Sequence, residues 1–516
     1  MKKIITLLTL FSSLITFSQT TTIINQKLFG GINDEGNVKI KKMIDNSLIL
    51  VSNSKSGATG NKTLSNFGGE DLWVINLDNL FNINWQVGIG GSLDEYIEEV
   101  LPTQDGGFIV LGSSNSPISG NKTAINKGDF DFWIIKFNNL GIVEWEKTFG
   151  GTGYDYAYSI STFSNGDYLI GGVSNSPISG DKTSSSFGDD DYWLIRIDNL
   201  GSLIWDKTIG ASSKEQLTDL YIDASDNVFI VGTSWSDVSG DKTEDNFGSQ
   251  NVWILKMDNT STIIWDKTLG GNVVEYNPKI ISIDNYLYLN CGSSSPVSGN
   301  KTDLPEGQGD FWLLKLDTNA TIIWDKSIGM NQGFSGELTN LSNGSMLMSG
   351  SFYPTGNSLS SDYLNVFVDT NGIVLYNEII EADSFDPLTS IFVKDINHYV
   401  YVGNSNSPIS GDKTITPIGG ADIWLVEVTT NLGVSEQIVT NHYNLYPNPN
   451  NGVFTITGLT PQSKVEVFSI DGKLKKVFNT IQSSELQISN LGLSKGMYFA
   501  KISETNTTKS IKFCVQ

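Results

Sequence analysis

Six lysines stand in one recurring setting, Gly-[Asn/Asp]-Lys-Thr: Lys62, Lys122, Lys182, Lys242, Lys301 and Lys413. In residues 116–123, 176–183 and 407–414 the setting lengthens to Ser-Pro-Ile-Ser-Gly-[Asn/Asp]-Lys-Thr. A ring of such ammonium groups could hold an anionic ligand. A second series, Glu35, Glu95, Asp155, Glu215, Glu275 and Asp386, offers one carboxylate per lysine. Where Phe334 replaces the acid, the Gly-x-Lys-Thr sequence and the neighbouring tryptophan are missing as well. Joint loss points to lysine–acid ion pairs that brace loops, rather than to lysines left free for a ligand. Exposed pairs of this kind contribute about 0–1 kcal/mol each, so they would order loops more than hold a fold.

Other catalytic chemistry is poorly supplied. The chain has two histidines, His398 at an expected turn and His442 in a polar connection, which argues against histidine-based catalysis and against zinc. No nucleophile elbow, phosphate loop or His-Glu pair occurs. Carboxylates are plentiful, so a two-acid glycosidase stays open, with Glu98 and Glu99 the acids to inspect. No metal site or cofactor is expected; calcium at a run such as Asp189-Asp190-Asp191 lacks EF-hand spacing. Asn61, Asn121 and Asn300 form Asn-x-Thr sequons, but Asp stands there in other copies, which fits a turn role better than glycosylation.

Aromatic residues could stack against sugars. Yet Trp73, Trp133, Trp193, Trp253, Trp312 and Trp424 recur in every copy but one, and Trp85, Trp145, Trp205, Trp265 and Trp324 form a second series. Recurrence favours packing. Trp235 and Tyr353 interrupt the loop motif in single copies, and they are the expected ligand contacts.

All of these residues ride on one repeat. Positions 73, 133, 193, 253, 312, 364 and 424 fall about sixty residues apart, seven times, the sixth copy being degenerate at Asp362-Tyr363-Leu364. Each copy reads as four short runs rich in Ile, Val, Tyr and Trp, bounded by Gly, Asn and Asp, without helical periodicity. Seven four-stranded antiparallel units predict an all-β, seven-bladed β-propeller over residues 20–435. The last unit runs out at Glu436, whereas residues 23–31 carry the missing strand. The N-terminal strand is therefore expected to become the outermost strand of the seventh blade and close the ring. Short turns such as Asp105-Gly106 and Asn165-Gly166 should share one face, and long loops such as 114–129 the other. Long loops on a rigid scaffold are where binding is usually placed.

A formal charge of −23 argues against nucleic acid. Residues 1–19, with Lys2-Lys3 before an apolar stretch, read as a secretory signal, and no later segment is long and apolar enough to span a membrane. Cys291 and Cys514 suggest neither a disulfide scaffold nor a metal knuckle. Residues 436–444 form a linker, and residues 445–516 alternate apolar and polar residues as in a small β-sandwich.

That tail opens with Tyr446-Pro447-Asn448-Pro449, continues through Asp471-Gly472-Lys473 and a strand bearing Gly496 and Tyr498, and closes on a lysine-containing strand. In this order of motifs it resembles the type A C-terminal sorting domain of the type IX (Por) secretion system. The resemblance implies a Gram-negative cell of the Bacteroidota type, the type IX machinery as partner, and cargo released or anchored at the surface once the tail is cut. The repeats are similar to propeller repeats common in such cargo. Residues 198–205 also resemble the tryptophan-docking motif of quinoprotein dehydrogenases, but the Asp-to-Gly gap is one residue short. The expected function is a secreted or surface binding module for a glycan or protein. The alternatives are a carbohydrate-active hydrolase or lyase with carboxylates in the channel, and a purely structural surface protein. Acids that break the sevenfold pattern on inner strands would favour the enzyme.

Overall fold

In the computed structural model the described residues are 20–307, 309–329, 333–353, 360–395, 397–431, 444–459, 463–470, 472–489, 492–503 and 508–516. The expected signal segment and most of the expected linker lie outside them. The chain divides into two compact units, Gln19–Leu432 and a tail from Gly433 to Gln516.

The first unit contains seven four-stranded antiparallel sheets. The first sheet comprises Glu35–Lys42, Leu48–Ser54, Asp71–Leu77 and Ile83–Ile89, in that order from the inside out. The inner strands of the next five are Glu95–Pro102, Asp155–Thr162, Glu215–Ile222, Glu275–Ile283 and Gly333–Asn340. The seventh sheet runs Leu388–Asp395, His398–Ser405, Asp422–Asn431 and then Thr20–Phe29. Each inner strand neighbours the next, and the seventh neighbours the first, so the sheets form the closed ring of a β-propeller.

Closure follows from the residues. The N-terminal strand pairs antiparallel with Asp422–Asn431, from Thr20 opposite Asn431 to Phe29 opposite Ile423. Gln26 stands where other blades place an acid or amide in the fourth strand, and its Oε1 accepts the Trp424 Nε1 hydrogen at 3.2 Å. Trp73, Trp133, Trp193, Trp253 and Trp312 donate in the same way to Gln86, Glu146, Asp206, Asp266 and Asp325. All six indoles are fully buried, each in the core between its own blade and the preceding one and partnered at its polar tip. The second tryptophan series lies on outer strands. Trp85 and Trp145 pack against Gly141 and Gly201, turn residues of the next blade whose φ of 75° and 79° lies in the left-handed region.

The tail unit is two sheets. Asn444–Tyr446, Phe454–Thr457 and Glu485–Ile488 form one; Leu474–Ile481, Ser463–Ser469, Gly496–Ser503 and Thr508–Val515 form the other. Alternate residues Val465, Val467, Tyr498, Ala500 and Ile502 meet Phe454, Ile456 and Phe513 in one core. Asn448 of the opening motif accepts the Cys514 amide at 2.9 Å and donates to the Lys512 carbonyl at 3.1 Å, which ties that motif to the last strand. Gly472, at φ 77°, makes the hairpin before Lys473, and the Tyr498 hydroxyl donates to the Ser494 carbonyl at 2.9 Å.

Candidate functional site

The recurring lysines are not offered to solvent. Lys62, Lys122, Lys182, Lys242, Lys301 and Lys413 are all buried, as are Glu35, Glu95, Asp155, Glu215, Glu275 and Asp386. The expectation of exposed, direct ion pairs needs correction, because a strand-end serine stands between the two charges. Ser54 donates to Glu35 Oε1 at 3.0 Å and accepts from Lys62 Nζ at 2.8 Å. Ser293 does the same between Glu275, at 2.8 Å, and Lys301, at 2.9 Å. In the second blade acid and lysine take different partners; Glu95 accepts from Ser114, whereas Lys122 donates to the Ser116 and Ala124 carbonyls. Burial pulls the lysines down, Lys182 to about 8. The following threonine completes the brace: Thr183 and Thr243 donate from amide and hydroxyl to Asp206 and Asp266, the acids that hold the core tryptophans. Asn61 and Asn121 spend both halves of their amides bridging to the preceding outer strand. In the sixth blade Gly333, rather than Phe334, pairs opposite Phe352, the residue in the serine's place. Acid, serine and lysine are replaced together there.

The functional interest moves to the axis. Every inner strand breaks register near its start, between Glu35 and Val38, Ile97 and Glu99, Ala157 and Ser159, Leu217 and Asp219, Tyr276 and Lys279, Ser335 and Leu338, and Leu388 and Ser390, and the seventh does so again between Val393 and Asp395. A bulge adds a residue and re-aims side chains. Here it brings consecutive residues to the channel wall, Glu98 with Glu99 and Thr218 with Asp219 among them, around a cavity of about 180 Å³ to which all seven blades contribute.

The lining breaks the sevenfold pattern. Lys39 pairs with Glu337 and Lys41 with Glu99, both at 3.2 Å. Asp219 accepts from the Ser159 hydroxyl at 3.2 Å, and Lys279 donates to the Thr218 carbonyl at 2.9 Å. Desolvation would lower Lys39, but Glu337, Glu99 and Glu98 outweigh it and hold the ammonium above its usual range. Against the same desolvation, Lys39, Lys279 and Lys41 hold Glu337 well below the usual carboxylate range. Glu98 behaves differently. Burial pushes its carboxyl up to about 7, against the opposing Tyr156 hydrogen bond and Lys39.

Above Glu98 an aromatic series climbs towards the long-loop face. Tyr154, Tyr156 and Tyr158 alternate along one side of the third blade's inner strand, as period-two geometry requires. Their ring centroids are 5.6 Å and 5.4 Å apart in succession. Tyr96 and Phe130 of the second blade join them, stacked on each other at 5.5 Å and reaching Tyr156 at 6.3 Å and 5.9 Å. All five are half-buried. Asp94, Glu70, Asp129 and Asp190 surround the cluster with negative charge.

Trp235 and Tyr353 lie on the fourth and sixth blades. Trp235 is half-buried under Lys214 Nζ at 5.7 Å, and desolvation raises the half-buried Tyr353 hydroxyl. The sequence reading does not single out the tyrosine cluster. Its signal was present: three tyrosines at alternate positions on an inner strand, in one copy alone. On the turn face a larger cavity, about 710 Å³, lies against Trp145 and Tyr168. Lys136 there binds Asp105 and Glu144, both at 2.9 Å, so its charged groups are spent on one another.

Comparison with known proteins separates the two units. Residues 444–516 match the family model for the secretion system C-terminal sorting domain. No curated protein matches the chain in sequence. Among solved structures, the WD40 domain of Neurospora crassa Pan2 is 10% identical, with 75% of this chain and 89% of that chain covered and a TM-score of 0.42. A Dyadobacter fermentans protein of unknown function is 8% identical, covering 80% and 99% respectively, with a TM-score of 0.41. Porphyromonas gingivalis PorZ, a surface component of the type IX secretion system, is 11% identical, covering 93% and 74%, with a TM-score of 0.30. The protein is a β-propeller with a type IX secretion sorting domain at its C-terminus, which directs export to the cell surface or the extracellular space.

Proposed function

We propose that the propeller is an exported glycan-binding module whose ligand stacks on Tyr96, Phe130, Tyr154 and Tyr156 at the long-loop mouth of the channel. The observation that carries this reading is the aromatic series itself, half-open and confined to two adjacent blades. Aromatic faces offer flat apolar area at little entropic cost, and tyrosine hydroxyls add polar contacts at the rim. The surrounding carboxylates disfavour polyanions. The chain's single arginine, Arg196, is held by Asp167 at 2.7 Å, so no free guanidinium serves an acidic sugar. A neutral glycan fits best.

A screen of neutral polysaccharides against the full chain tests this. Tyr154→Ala with Tyr156→Ala is expected to weaken the best ligand about fivefold to a hundredfold, the loss of two aromatic contacts of about 0.5–1.5 kcal/mol each. Trp145→Ala, at the turn-face cavity, should leave affinity unchanged. Equal loss in both variants would contradict the assignment.

A second reading, hydrolysis, is favoured by the inner-strand acids Glu98, Glu99, Asp219 and Glu337, which break the sevenfold pattern at the channel; burial pushes Glu98, at the foot of the series, up to about 7, as a general acid requires. Release of reducing ends by the wild type, abolished in Glu98→Gln with binding retained, would establish it. Retained release in Glu98→Gln would remove it.

A further inference from the structure

The aspartates that open each blade's third strand pose a charge problem that the fourth blade solves differently. Asp71, Asp131, Asp191 and Asp422 are fully or nearly fully buried. In each, Oδ2 accepts a loop amide, from Phe67, Lys127, Phe187 and Ile418 respectively. In each, Oδ1 has no hydrogen-bond partner among the described residues. At three of the four junctions that bare oxygen faces the acid that opens the next blade; a methyl on Gly30, Gly90 or Gly150 would crowd both Asp422 and Glu35, Asp71 and Glu95, or Asp131 and Asp155. At the remaining one, Asp191 Oδ1 is the atom a methyl on Gly210 would meet first, and Glu215 lies near enough for its charge to act on Asp191.

The facing acid is already an acceptor. Glu95 takes the Gly91 amide at 2.8 Å and the Ser114 hydroxyl at 2.8 Å; Glu215 takes the Ala211 amide and the Ser234 hydroxyl, also at 2.8 Å. Two acceptors meeting in a buried site require a proton or a cation between them. The fourth blade shows which. There the residue is Asn251, whose Oδ1 takes the Phe247 amide at 2.7 Å. Its Nδ2, in the place of the bare oxygen, donates to Glu275 Oε2 at 2.6 Å and to the Gly271 carbonyl at 2.9 Å. A donor fills that place, and an amide nitrogen is no ligand for a metal ion.

We infer that Asp71, Asp131, Asp191 and Asp422 carry a proton in mildly acidic solution and donate it to Glu95, Asp155, Glu215 and Glu35, clamping successive blades together. The other charges facing them are lysines: Lys62 at Asp71, Lys122 and Lys127 at Asp131, Lys182 at Asp191 and Lys413 at Asp422. These favour the ionised form, as do the loop amides. Desolvation, aided at the first three by the next blade's acid, outweighs them and pushes Asp71 and Asp131 up to about 7, with Asp191 and Asp422 raised as well. Because the folded value lies above the ordinary 3.8, the clamps contribute fully below that value. Their contribution is lost as pH rises through about 7.

Thermal unfolding of the full chain at pH 5.5 and 8.5, with and without chelator and added calcium, tests the inference. The wild type should lose about 5 °C or more at the higher pH, unaffected by chelator. The variant D71N/D131N/D191N/D422N, which copies Asn251, should lose less than half as much and melt above the wild type at pH 8.5. Should that variant not fold, Asn251→Asp adds a fifth clamp and should melt below the wild type at pH 8.5 only. A wild type indifferent to pH, Asn substitutions that lower the melting temperature at both pH values, an Asn251→Asp variant no more pH-sensitive than the wild type, or a fall caused by chelator would each overturn it.

Discussion

Deletion of residues 20–29 is expected to abolish cooperative unfolding of the propeller and to yield aggregated protein. The deletion strips the fourth strand from the seventh blade, leaving the backbone of Asp422–Asn431 bare along one edge. It also removes Phe29 from the core that the first and seventh blades share, where it contacts Ile423 and Leu425 among others. Trp424 loses Gln26, the partner of its indole nitrogen, and becomes a buried donor without an acceptor. No single loss accounts for the effect. Together they should approach the whole stability of an ordinary domain, about 5–15 kcal/mol. Chemical denaturation followed by tryptophan fluorescence, with size-exclusion chromatography, checks this. A sharp transition within about 1 kcal/mol of the wild type, from a monomeric variant, would refute it.

Trp193→Ala is expected to cost about 3–5 kcal/mol, the range for a large aromatic removed from a closed core. Its ring is fully buried and lies 4.8 Å from that of Phe132 in the preceding blade. Its Nε1 donates to Asp206 at 3.1 Å, and Asp206 also receives the Thr183 amide and hydroxyl from the long loop. The substitution therefore opens a cavity and loosens the loop brace. Trp205→Ala, on the partly exposed outer strand, should cost about 1–2 kcal/mol. Denaturant midpoints of the two variants give the comparison. Equal costs would show that the two series do not differ in role.

Much of this architecture was legible because it repeats. The sixty-residue period, four apolar runs per copy, and a first strand completing the last copy together specify the ring before any coordinate is known. The tail was legible through its motifs, from Tyr446 to Tyr498. The loop brace was legible in membership but not in chemistry. Joint loss of acid and lysine in the sixth blade pointed to a unit, yet the intervening Ser54 and Ser293 look like ordinary strand-end residues. The channel was hidden for a different reason. A β-bulge inserts one residue without changing the kinds of residue around it, so that Glu98 and Glu99 read as an alternating pair when both line the axis. Period-two reasoning then places one of them on the wrong face. Trp235 and Tyr353 break a loop pattern, whereas the tyrosine cluster breaks a strand pattern in a single copy.

Everything assigned to the channel and its mouth depends on the ring being closed by the N-terminal strand. Hydrogen exchange of residues 20–29 in the folded full chain measures this directly. Their amides should be protected to the same degree as those of Asp422–Asn431, and the two should open together as denaturant is added. Exchange of 20–29 at the rate of unstructured chain, with the inner strands still protected, would show that the seventh blade lacks its outer strand and would contradict the account.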